Sequence, residues 1–343
     1  MVRYLDLSTA DVSKITYLRK NTDGRMIPLY PYYDHESKSW EIFVMNYEGK
    51  LTKMVITELT EGMYFCKSPK SSSDAYLPFI NFMLKRAYWK EITYFIESIF
   101  TDILNIAAST FKLKQIYITW FAAALGGETD LGLGINRVVI TELEYLFMVC
   151  RSIYDLLQTC ISKGICGHKL SGTRLGKNDP TFADIIFKNN EIRTKKELIN
   201  DYSIPEPIAE YYVNQAVFFK WLRDYRDLIL HGGKSIDIIY ITEHGFAVSI
   251  DKPPFQSLKN LWSESNTIIT DTSSRGMGSL ESFVAYTIIH TLKALNDFVN
   301  MIEQLIDFPA DVAPDYKVYL CSPHIKYISN LDKCITEEPW YFK

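Results

Sequence analysis

Apolar residues recur at intervals of three and four positions in four long segments of the chain, which is the spacing of one face of an α-helix. These segments cover residues 75–109, 136–162, 207–231 and 279–306. Each is long enough for several helical turns, and at 1.5 Å per residue the third would span about 37 Å. Because short or hairpin connections separate the segments, the pattern predicts an antiparallel bundle of four helices.

Capping and helix-breaking residues mark the ends of these segments. Asp74 is expected to cap the first helix, with Pro78 acceptable in its opening turns. Asn136 is expected to cap the second helix, directly after a glycine-rich loop. Two glycines, Gly232 and Gly233, end the third helix. The helix boundaries are therefore predicted from local sequence as well as from periodicity.

Two shorter stretches show the alternation of apolar and polar residues that is typical of β-strands. Residues 40–46 and 50–57 are joined across Glu48 and Gly49, which predicts a hairpin near the N-terminus. A second hairpin is predicted near residues 236–250, between the third and fourth helices. The fold is therefore expected to be mainly α, with a small β-rich N-terminal region and an inserted β-hairpin.

The predicted elements divide the chain into three parts. Residues 1–73 form the β-rich N-terminal region, and residues 74–306 form the helical bundle with its hairpin. Residues 307–343 contain four prolines among aromatic residues, so we expect an extended segment packed on the rest of the protein. The bundle is therefore expected to be the largest unit of the protein.

Composition and charge narrow the classes of function. The 343 residues include 37 Lys and Arg against 41 Asp and Glu, which gives a formal net charge of -4. No global positive field exists to hold nucleic acid nonspecifically, so any nucleic acid must be held by local contacts. The first residues lack the apolar core of a secretory signal, and the apolar run at 116–125 is too short to span a bilayer. We therefore expect a cytoplasmic protein without membrane contact.

Other motifs give weaker signals. Six cysteines lie scattered without a CxxC pair, which argues against a zinc site and a disulfide framework. The glycine-rich loop at 126–134 lacks the Lys and the Ser or Thr of a phosphate-binding P-loop, so we interpret it as a loop before a helix. The histidines outside the third helix have no acidic or cysteine partner at ligand spacing. No metal and no cofactor are therefore expected.

The end of the third helix carries the most specific local motif. Arg226 is followed by Asp227, three apolar residues, His231 and two glycines. An arginine and a histidine separated by four residues, near the end of a helix in a helical bundle, resemble the R-x4-H signature of the HEPN superfamily. The resemblance covers residues 74–306 and neither end region. It implies a HEPN-like bundle, and active members of that superfamily are metal-independent endoribonucleases, often toxins or antiphage effectors.

The resemblance also implies roles for individual residues. Arg226 and His231 would form the catalytic pair, and Asp227 would be the polar residue that positions them. On the preceding helix, Glu144 and Asp155 lie in one stripe at helical spacing and are candidates for orienting Arg226. In the superfamily two such motifs meet at a homodimer interface. The expected partners are therefore RNA, including transfer RNA, a second copy of the chain, and an antitoxin or other regulatory protein.

The residue types of the motif fit cleavage of RNA by its own 2′-hydroxyl. Histidine, with an ordinary pKa of ~6.5, exchanges protons at neutral pH, and arginine offers a planar set of charged donors to phosphate oxygens. One histidine per chain does not easily supply both proton transfers, and a step of five residues rotates about 140° around a helix. A dimer would answer both points. Aromatic residues on the surface of the third helix are expected to offer it an interface: Tyr211, Tyr212, Phe218, Phe219, Trp221 and Tyr225.

The loop between the second and third helices is locally basic. Lys169, Arg174 and Lys177 are candidates for contacts with RNA phosphates, although a solvated loop is the common meaning of such charges. Likewise, the histidine before the glycines fits a helix C-cap, and the Arg-Asp pair fits a surface ion pair. The alternative function is therefore a noncatalytic HEPN-like module that binds nucleic acid, a nucleotide or a protein partner.

Overall fold

Four long helices and a six-stranded mixed sheet make up most of the protein in the computed structural model, which is a mixed α/β fold. The fold is described for residues 3–5, 15, 17–18, 27–45, 51–87, 90–127, 132–167, 170, 172–175, 180–231, 239–253, 255–261, 267–268, 276–329 and 331. The presence of four long helices is confirmed, although the first of them differs from the segment predicted over residues 75–109. The sheet is larger than the small N-terminal region that the alternating residues predict.

The helical part consists of the four long helices and several shorter ones. In chain order the α-helices of the described residues are α1 (Pro78–Lys85), α2 (Lys90–Leu125), α3 (Gly132–Thr159), α4 (Phe182–Ile186), α5 (Lys195–Tyr202), α6 (Glu206–His231) and α7 (Leu280–Leu305). A π-helix, Cys160–Cys166, continues directly from α3. The bounds of α6 and α7 agree with the predicted third and fourth helices to within one residue at each end.

The strands fall into one large sheet and several small ones. In chain order they are β1 (Arg3–Leu5), β2 (Ile27–Leu29), β3 (Tyr32–Asp34), β4 (Ser39–Met45), β5 (Leu51–Ile56), β6 (Gly62–Cys66), β7 (Ala75–Tyr76), β8 (Phe187–Lys188), β9 (Glu191–Ile192), β10 (Tyr240–Ile241), β11 (Phe246–Ser249), β12 (Thr267–Ile268), β13 (Met277–Ser279) and β14 (Lys317–Cys321). The large sheet has the order β5-β4-β3-β6-β14-β7, with β3 and β6 parallel and the other neighbours antiparallel. The predicted N-terminal hairpin is confirmed as the antiparallel pair β4 and β5.

The C-terminal part of the chain supplies a strand inside the N-terminal sheet. β14 pairs with β6 along one edge and with β7 along the other. Helix α1 covers this strand, where Asn81 accepts a hydrogen bond from the N–H of Val318 at 3.1 Å. The buried Lys85 of α1 also pairs with Asp311 at 2.9 Å. The segment expected to be extended is thus part of a sheet that both ends of the chain form together.

The segment predicted as one helix over residues 75–109 is a short strand followed by two helices. The strand is β7, and α1 and α2 are separated by a turn. Arg86 leaves the helical region with φ -123° and ψ -39°, and the N–H groups of Arg86 and Ala87 both donate to the carbonyl of Phe82. The prediction of a single helix is wrong because apolar spacing records which side chains are buried, not where the backbone changes direction. Indeed, α1 packs on α7 and β14, whereas α2 packs on α3.

Neither predicted cap residue caps a helix. The carboxylate of Asp74 accepts hydrogen bonds from the Tyr64 hydroxyl at 2.6 Å and from the Ser71 N–H at 3.0 Å. Asn136 lies inside α3, and its Oδ1 accepts from the N–H of Ile239 at 3.0 Å. Both predictions are wrong because a short polar side chain satisfies a distant backbone or side-chain donor as readily as the N–H groups of its own helix.

The contacts between α3 and α6 show that these two helices run in opposite directions. Phe147 meets Tyr225 near one end of the seam, and Gln158 accepts from the Tyr212 hydroxyl near the other. The same reversal holds along α6 and α7, where the pairs are Tyr225 with Phe283 and Gln215 with Asp297. Helix α6 therefore packs antiparallel to both α3 and α7, and α3 also contacts α7 directly.

The aromatic residues of α6 lie in the core rather than on a free surface. Five of the six side chains expected to form a dimer interface are at most 8% exposed: Tyr211, Tyr212, Phe218, Phe219 and Tyr225. Trp221 is half-buried, and its indole N–H donates to Ser257 at 2.9 Å. The prediction that these rings form a dimer interface is wrong, because α3, α4, α5 and α7 pack around α6 from several sides.

The predicted hairpin near residues 236–250 is part of a second, four-stranded sheet. β10 and β11 pair antiparallel as expected, while residues 236–238 lie outside the described residues. β13 and β12 extend the sheet in the order β10-β11-β13-β12. Gly245, in the turn between β10 and β11, has φ +154°, and an added Cβ would lie 2.5 Å from the Glu281 carboxylate. A side chain at this position would therefore strain the backbone and displace the buried Glu281 carboxylate.

Candidate functional site

Arg226 and Asp227 are the motif residues whose side chains the structure describes, and they lie where α6 faces α3. Phe147 of α3 packs on Tyr225, directly before the motif, with ring centroids 4.4 Å apart. The Arg226 guanidinium donates to Oδ1 of Asp227 through Nε at 2.9 Å and through Nη2 at 2.5 Å. The two side chains are 27% and 42% exposed. Asp227 thus holds the guanidinium of Arg226 at the surface of the α3–α6 seam.

A second arginine reaches this seam from α3. Arg151 is only 14% exposed, and its Nε lies 3.9 Å from Oδ2 of Asp155. Its Nε and Nη1 atoms are buried and have no hydrogen-bond partner among the residues that the structure describes. Burial and the charge of Arg226 lower the pKa of Arg151, while Asp155 and Asp227 oppose this shift. Because a buried charged donor without a partner is costly, Arg151 is a group that an anion would stabilise.

A third arginine, Arg223, lies one helical turn before Arg226 on the same face of α6. Its guanidinium carbon is 4.1 Å from the centroid of the Phe187 ring, a cation–π contact. Its Nη2 donates to Oδ1 of Asp224 at 3.2 Å. The charge of Arg223 also lowers the pKa of Arg151. We refer to Arg151, Arg223 and Arg226 as the arginine cluster.

Asp155 is the carboxylate that α3 places beside this cluster. Burial raises the pKa of Asp155, and the charges of Arg151 and Arg226 oppose the rise. Its Oδ1 is buried and, within the described part of the chain, has no hydrogen-bond partner. The structure therefore brings Asp155 within electrostatic range of Arg226.

Glu144 lies elsewhere on α3. Its carboxylate is 3.9 Å from the guanidinium of the exposed Arg137. It also helps to raise the pKa of Tyr225, although burial is the larger cause. Both Glu144 and Arg226 have described side chains, and no hydrogen bond or ion pair joins the two. Of the two acidic residues predicted to orient Arg226, Asp155 is the one on which the charge of Arg226 acts, whereas Glu144 forms its ion pair with Arg137.

The remaining predicted residues of the site are described in part or not at all. His231 is the last residue of α6, and its side chain lies outside the described residues. Lys169 and Lys177 also lie outside them. The helical backbone alone places His231 five positions after Arg226, a rotation of about 140°. The two motif residues thus stand on neighbouring turns of one helix.

The basic loop before α4 is described at Arg174, which is exposed. The backbone N–H of Arg174 donates to the carbonyl of Tyr202 at 2.8 Å. The Tyr202 hydroxyl in turn donates to the carbonyl of Asp184 at 3.1 Å. The carboxylate of Asp184 contributes to the raised pKa of Asp155. Two hydrogen bonds therefore connect the backbone of Arg174 to that of Asp184, and the Asp184 carboxylate acts on Asp155 only through its charge.

The motif alone does not identify Arg151 or Arg223 as parts of a site. Spacing along each helix is a usable signal, because Arg151 stands four positions before Asp155 and Arg223 stands three before Arg226. Each pair therefore shares one helix face. What spacing does not reveal is that these two faces meet, since this depends on how α3 and α6 pack.

Other chemical groups are less suited to a site. No group of three or more His, Cys, Asp or Glu side chains in the described part of the chain is arranged to hold a metal ion. Burial raises the pKa of the Cys150 and Cys160 thiols to about 12, so neither forms a thiolate near neutral pH. His290 contacts the carbonyl of Tyr286 through Nδ1 at 2.9 Å and stacks on Phe218, as a core histidine does. No described helix is long and apolar enough to cross a membrane.

Comparison with known proteins leaves the function to be inferred from the residues. No protein-family model, no curated protein and no solved structure matches the chain. What the described geometry offers is a group of three arginines from two helices, with carboxylates on both sides. Guanidinium groups bind phosphate oxygens through paired hydrogen bonds, so such a group is chemically suited to a phosphate.

Proposed function

We propose that this protein is a HEPN-like, metal-independent endoribonuclease that binds the RNA backbone at the arginine cluster. The observation that carries the proposal is Arg151, whose buried nitrogens have no partner among the described residues and which lies beside Arg226. An RNA phosphate would complete these hydrogen bonds. The helix that carries Arg226 ends at His231, so a proton-transfer group follows the cluster on the same helix.

In the proposed reaction the 2′-hydroxyl attacks the neighbouring phosphorus. The hydroxyl loses its proton, the bond from phosphorus to the 5′-oxygen breaks, and that oxygen leaves with a proton. The products are a 2′,3′-cyclic phosphate and a 5′-hydroxyl end. His231 transfers the protons, and Arg226 and Arg151 stabilise the charge that develops on the phosphate oxygens. Asp227 and Asp155 orient the two arginines.

Two copies of the chain would supply two histidines for the two proton transfers. The aromatic residues of α6 are buried within one chain and are not available for that contact. Met148, which is 43% exposed, lies one turn before Arg151 on α3. A second copy that covers Met148 would bring its own motif next to the cluster.

A noncatalytic module that binds an anionic ligand at the same cluster is the second candidate. The observation in its favour is that Arg226 and Arg223 each donate to a neighbouring carboxylate of their own helix, Asp227 and Asp224. A structural ion pair has the same form. This candidate predicts binding of RNA or a nucleotide without cleavage.

The test is cleavage of total cellular RNA, including transfer RNA, by the purified full-length protein in EDTA. We expect the wild type to give discrete fragments that end in 2′,3′-cyclic phosphate. Loss of the proton-transfer group in His231→Ala is expected to slow cleavage by about 10²- to 10⁴-fold. His244→Ala is the matched control, because His244 is exposed in the turn between β10 and β11, and it is expected to cleave like the wild type.

Circular dichroism and thermal melting of both variants establish that they fold. Cleavage by His231→Ala at the wild-type rate would contradict the catalytic assignment. Activity that disappears in EDTA and returns with a divalent cation would contradict a metal-independent reaction. If the wild type and the variants bind RNA and none of them cleaves it, the noncatalytic module is favoured.

A further inference from the structure

The six-stranded sheet has a gap where β3 begins. β3 lies between β4 and β6 in the sheet order. The first of its residues, Tyr32, pairs with Glu41 of β4 and with Phe65 of β6. Before Tyr32 the chain leaves this sheet through Pro31, and β2 pairs with β1 instead. Among the described residues, no strand occupies the positions that a longer β3 would fill.

Two strand edges face this gap. β4 continues through residues 42–44, where its other edge is paired with β5. β6 begins with residues 62–64, where its other edge is paired with β14. On the gap side, neither stretch pairs with another strand in the described part of the chain. Each stretch therefore presents backbone N–H and C=O groups that a further strand can use.

A cavity of about 530 Å³ fills the gap and extends to α2. Its walls include both strand edges, and Phe100 and Thr101 of α2. Where Tyr32 of β3 lies between them, β4 and β6 are two strand spacings apart, roughly 9.6 Å, and the gap continues from this point with residues 29–31 along its wall. Three residues of edge extend for about 10 Å. The cavity thus has the dimensions of a short extended peptide.

The cavity wall carries two carboxylates and no basic side chain. Leu29, Phe43 and Met63 contribute apolar surface, and the acids are Glu61 and Glu97. Neither acid forms an ion pair with a described residue. No lysine or arginine lines the described wall. Carboxylates beside apolar surface favour an occupant with both apolar and positively charged side chains.

We propose that this gap is a docking site for an extended, basic peptide segment of a partner protein. The segment inserts as a strand, antiparallel to β4 and parallel to β6, and so continues β3. Its backbone bonds both edges, while alternate side chains contact the apolar wall and the pair Glu61 and Glu97. The site lies in the sheet and uses none of the arginine cluster, so it stands independently of the proposed RNA cleavage.

The test is titration of the full-length protein with fluorescent hexapeptides of defined sequence. We expect saturable binding of a peptide of alternating Val and Lys, binding about fivefold weaker for alternating Val and Thr, and no binding for alternating Val and Glu. Hydrogen exchange measured on the complex is expected to slow at gap-facing amides of residues 42–44 and 62–64. Peptide binding that slows exchange only outside these two stretches would overturn the proposal.

Three variants connect the binding to the cavity. The double variant Glu61→Gln with Glu97→Gln is expected to weaken the Val-Lys peptide about fivefold and to leave the Val-Thr peptide unchanged. Glu36→Gln, at an exposed acid in the turn between β3 and β4, is the matched control and is expected to bind like the wild type. Thr101→Trp fills the cavity from an exposed position on α2 and is expected to abolish binding of every peptide.

Thermal melting establishes that each variant folds like the wild type. The proposal is overturned if no peptide binds, or if Thr101→Trp or the double carboxylate variant binds like the wild type. It is also overturned if the gap-facing amides of the free protein are already fully protected, because a segment of the chain itself would then fill the gap.

Discussion

Helix α6 packs against α7 on one side and against α3 on another, and the polar side chains at these two seams differ in how they are hydrogen-bonded. Towards α7, Asp297 accepts hydrogen bonds from Gln215 at 2.8 Å and from Lys293 at 2.5 Å. Towards α3, Arg151 is buried, and two of its nitrogens have no partner among the described residues. Gln215 and Asp297 thus satisfy each other within the chain, whereas Arg151 keeps charged donors that have no hydrogen-bond partner among the described residues.

This difference is the basis on which we propose a functional role for Arg151 and a structural role for Asp297. Buried polar groups are almost always hydrogen-bonded in folded proteins, because an unmet donor costs stability. The lowered pKa of Arg151 has the same cause, since burial and the nearby Arg226 both disfavour its charged form. Local features that lower stability concentrate at functional sites. On this ground we propose that the phosphate contact lies at the α3 seam, at Arg151, and that the contact of Gln215 with Asp297 is structural.

Among variants of the two seams, the largest effect is expected for Arg226→Ala. Removing the guanidinium removes charge stabilisation of the transition state, so the rate of RNA cleavage is expected to fall about 10²- to 10³-fold. Arg137→Ala is the matched control on α3, because Arg137 is 68% exposed and pairs only with Glu144 among the described residues. Initial rates on a defined oligoribonucleotide in EDTA measure both. A cleavage rate for Arg226→Ala within twofold of the wild-type rate would contradict a role for Arg226 in stabilising the transition state.

The second-largest effect is a loss of stability that we expect at the seam between α6 and α7. Asp297→Ala leaves the amide of Gln215, which is 5% exposed, without its partner. We expect the free energy of unfolding to fall by about 1–3 kcal/mol in urea titrations, with unchanged cleavage by the folded variant. Glu210→Ala, at an exposed position of α6, is expected to change it by less than about 0.5 kcal/mol. A cleavage defect in Asp297→Ala would contradict the separation of the two seams.

Arg151→Met is expected to act in the opposite direction on stability. It replaces a buried charge, whose Nε and Nη1 have no hydrogen-bond partner among the described residues, with an apolar side chain of similar length. The long ion pair with Asp155, at 3.9 Å, is lost, but the Asp155 side chain is 41% exposed and can still reach water. We expect the free energy of unfolding to rise by about 1 kcal/mol. Cleavage is expected to fall at least about tenfold, since a phosphate contact is lost. A destabilisation as large as that of Asp297→Ala would show that Arg151 is structural.

The smallest effect is a dependence of stability on pH. Because burial raises the pKa of Asp155 in the folded state, its contribution to stability is full below the unfolded pKa and is lost as pH rises through the folded pKa. The Asp155→Asn variant has no carboxyl group at this position, so its stability does not fall with pH for this reason. The stability of the variant relative to the wild type is therefore expected to increase with pH from about pH 4 upwards, by less than about 1 kcal/mol given the exposed side chain. Urea titrations across this range would contradict the assignment if the difference stayed constant.

Local sequence predicts the parts of the fold that depend on local interactions. The bounds of α7 follow from its periodicity and from Ser279, whose Oγ accepts from the N–H of Ser282 at 3.4 Å. The hairpin of β4 and β5 follows from alternation around a short turn. The pairing of β14 with β6 joins strands from opposite ends of the chain, and no local pattern encodes that partner. The six-stranded sheet could not be predicted for this reason.

The same limit applies to the candidate site. Arg226 and Asp227 could be predicted because they belong to a short motif on one helix. Arg151 belongs to another helix, and its importance depends on which nitrogens the packing of α3 and α6 leaves without a partner. Burial of the α6 aromatic residues could not be predicted either. The sequence of one helix does not show whether another helix packs over its aromatic side chains.

The most direct test of the central claim is the affinity of the arginine cluster for RNA that cannot be cut. A fluorescent 2′-O-methyl oligoribonucleotide, which lacks the attacking hydroxyl, is titrated into wild type and Arg151→Met over a range of salt concentrations. We expect Arg151→Met to bind about tenfold more weakly, with a salt dependence shallower by about one phosphate contact. Equal affinity and equal salt dependence for the two proteins would contradict the claim that Arg151 is kept unsatisfied for an RNA phosphate.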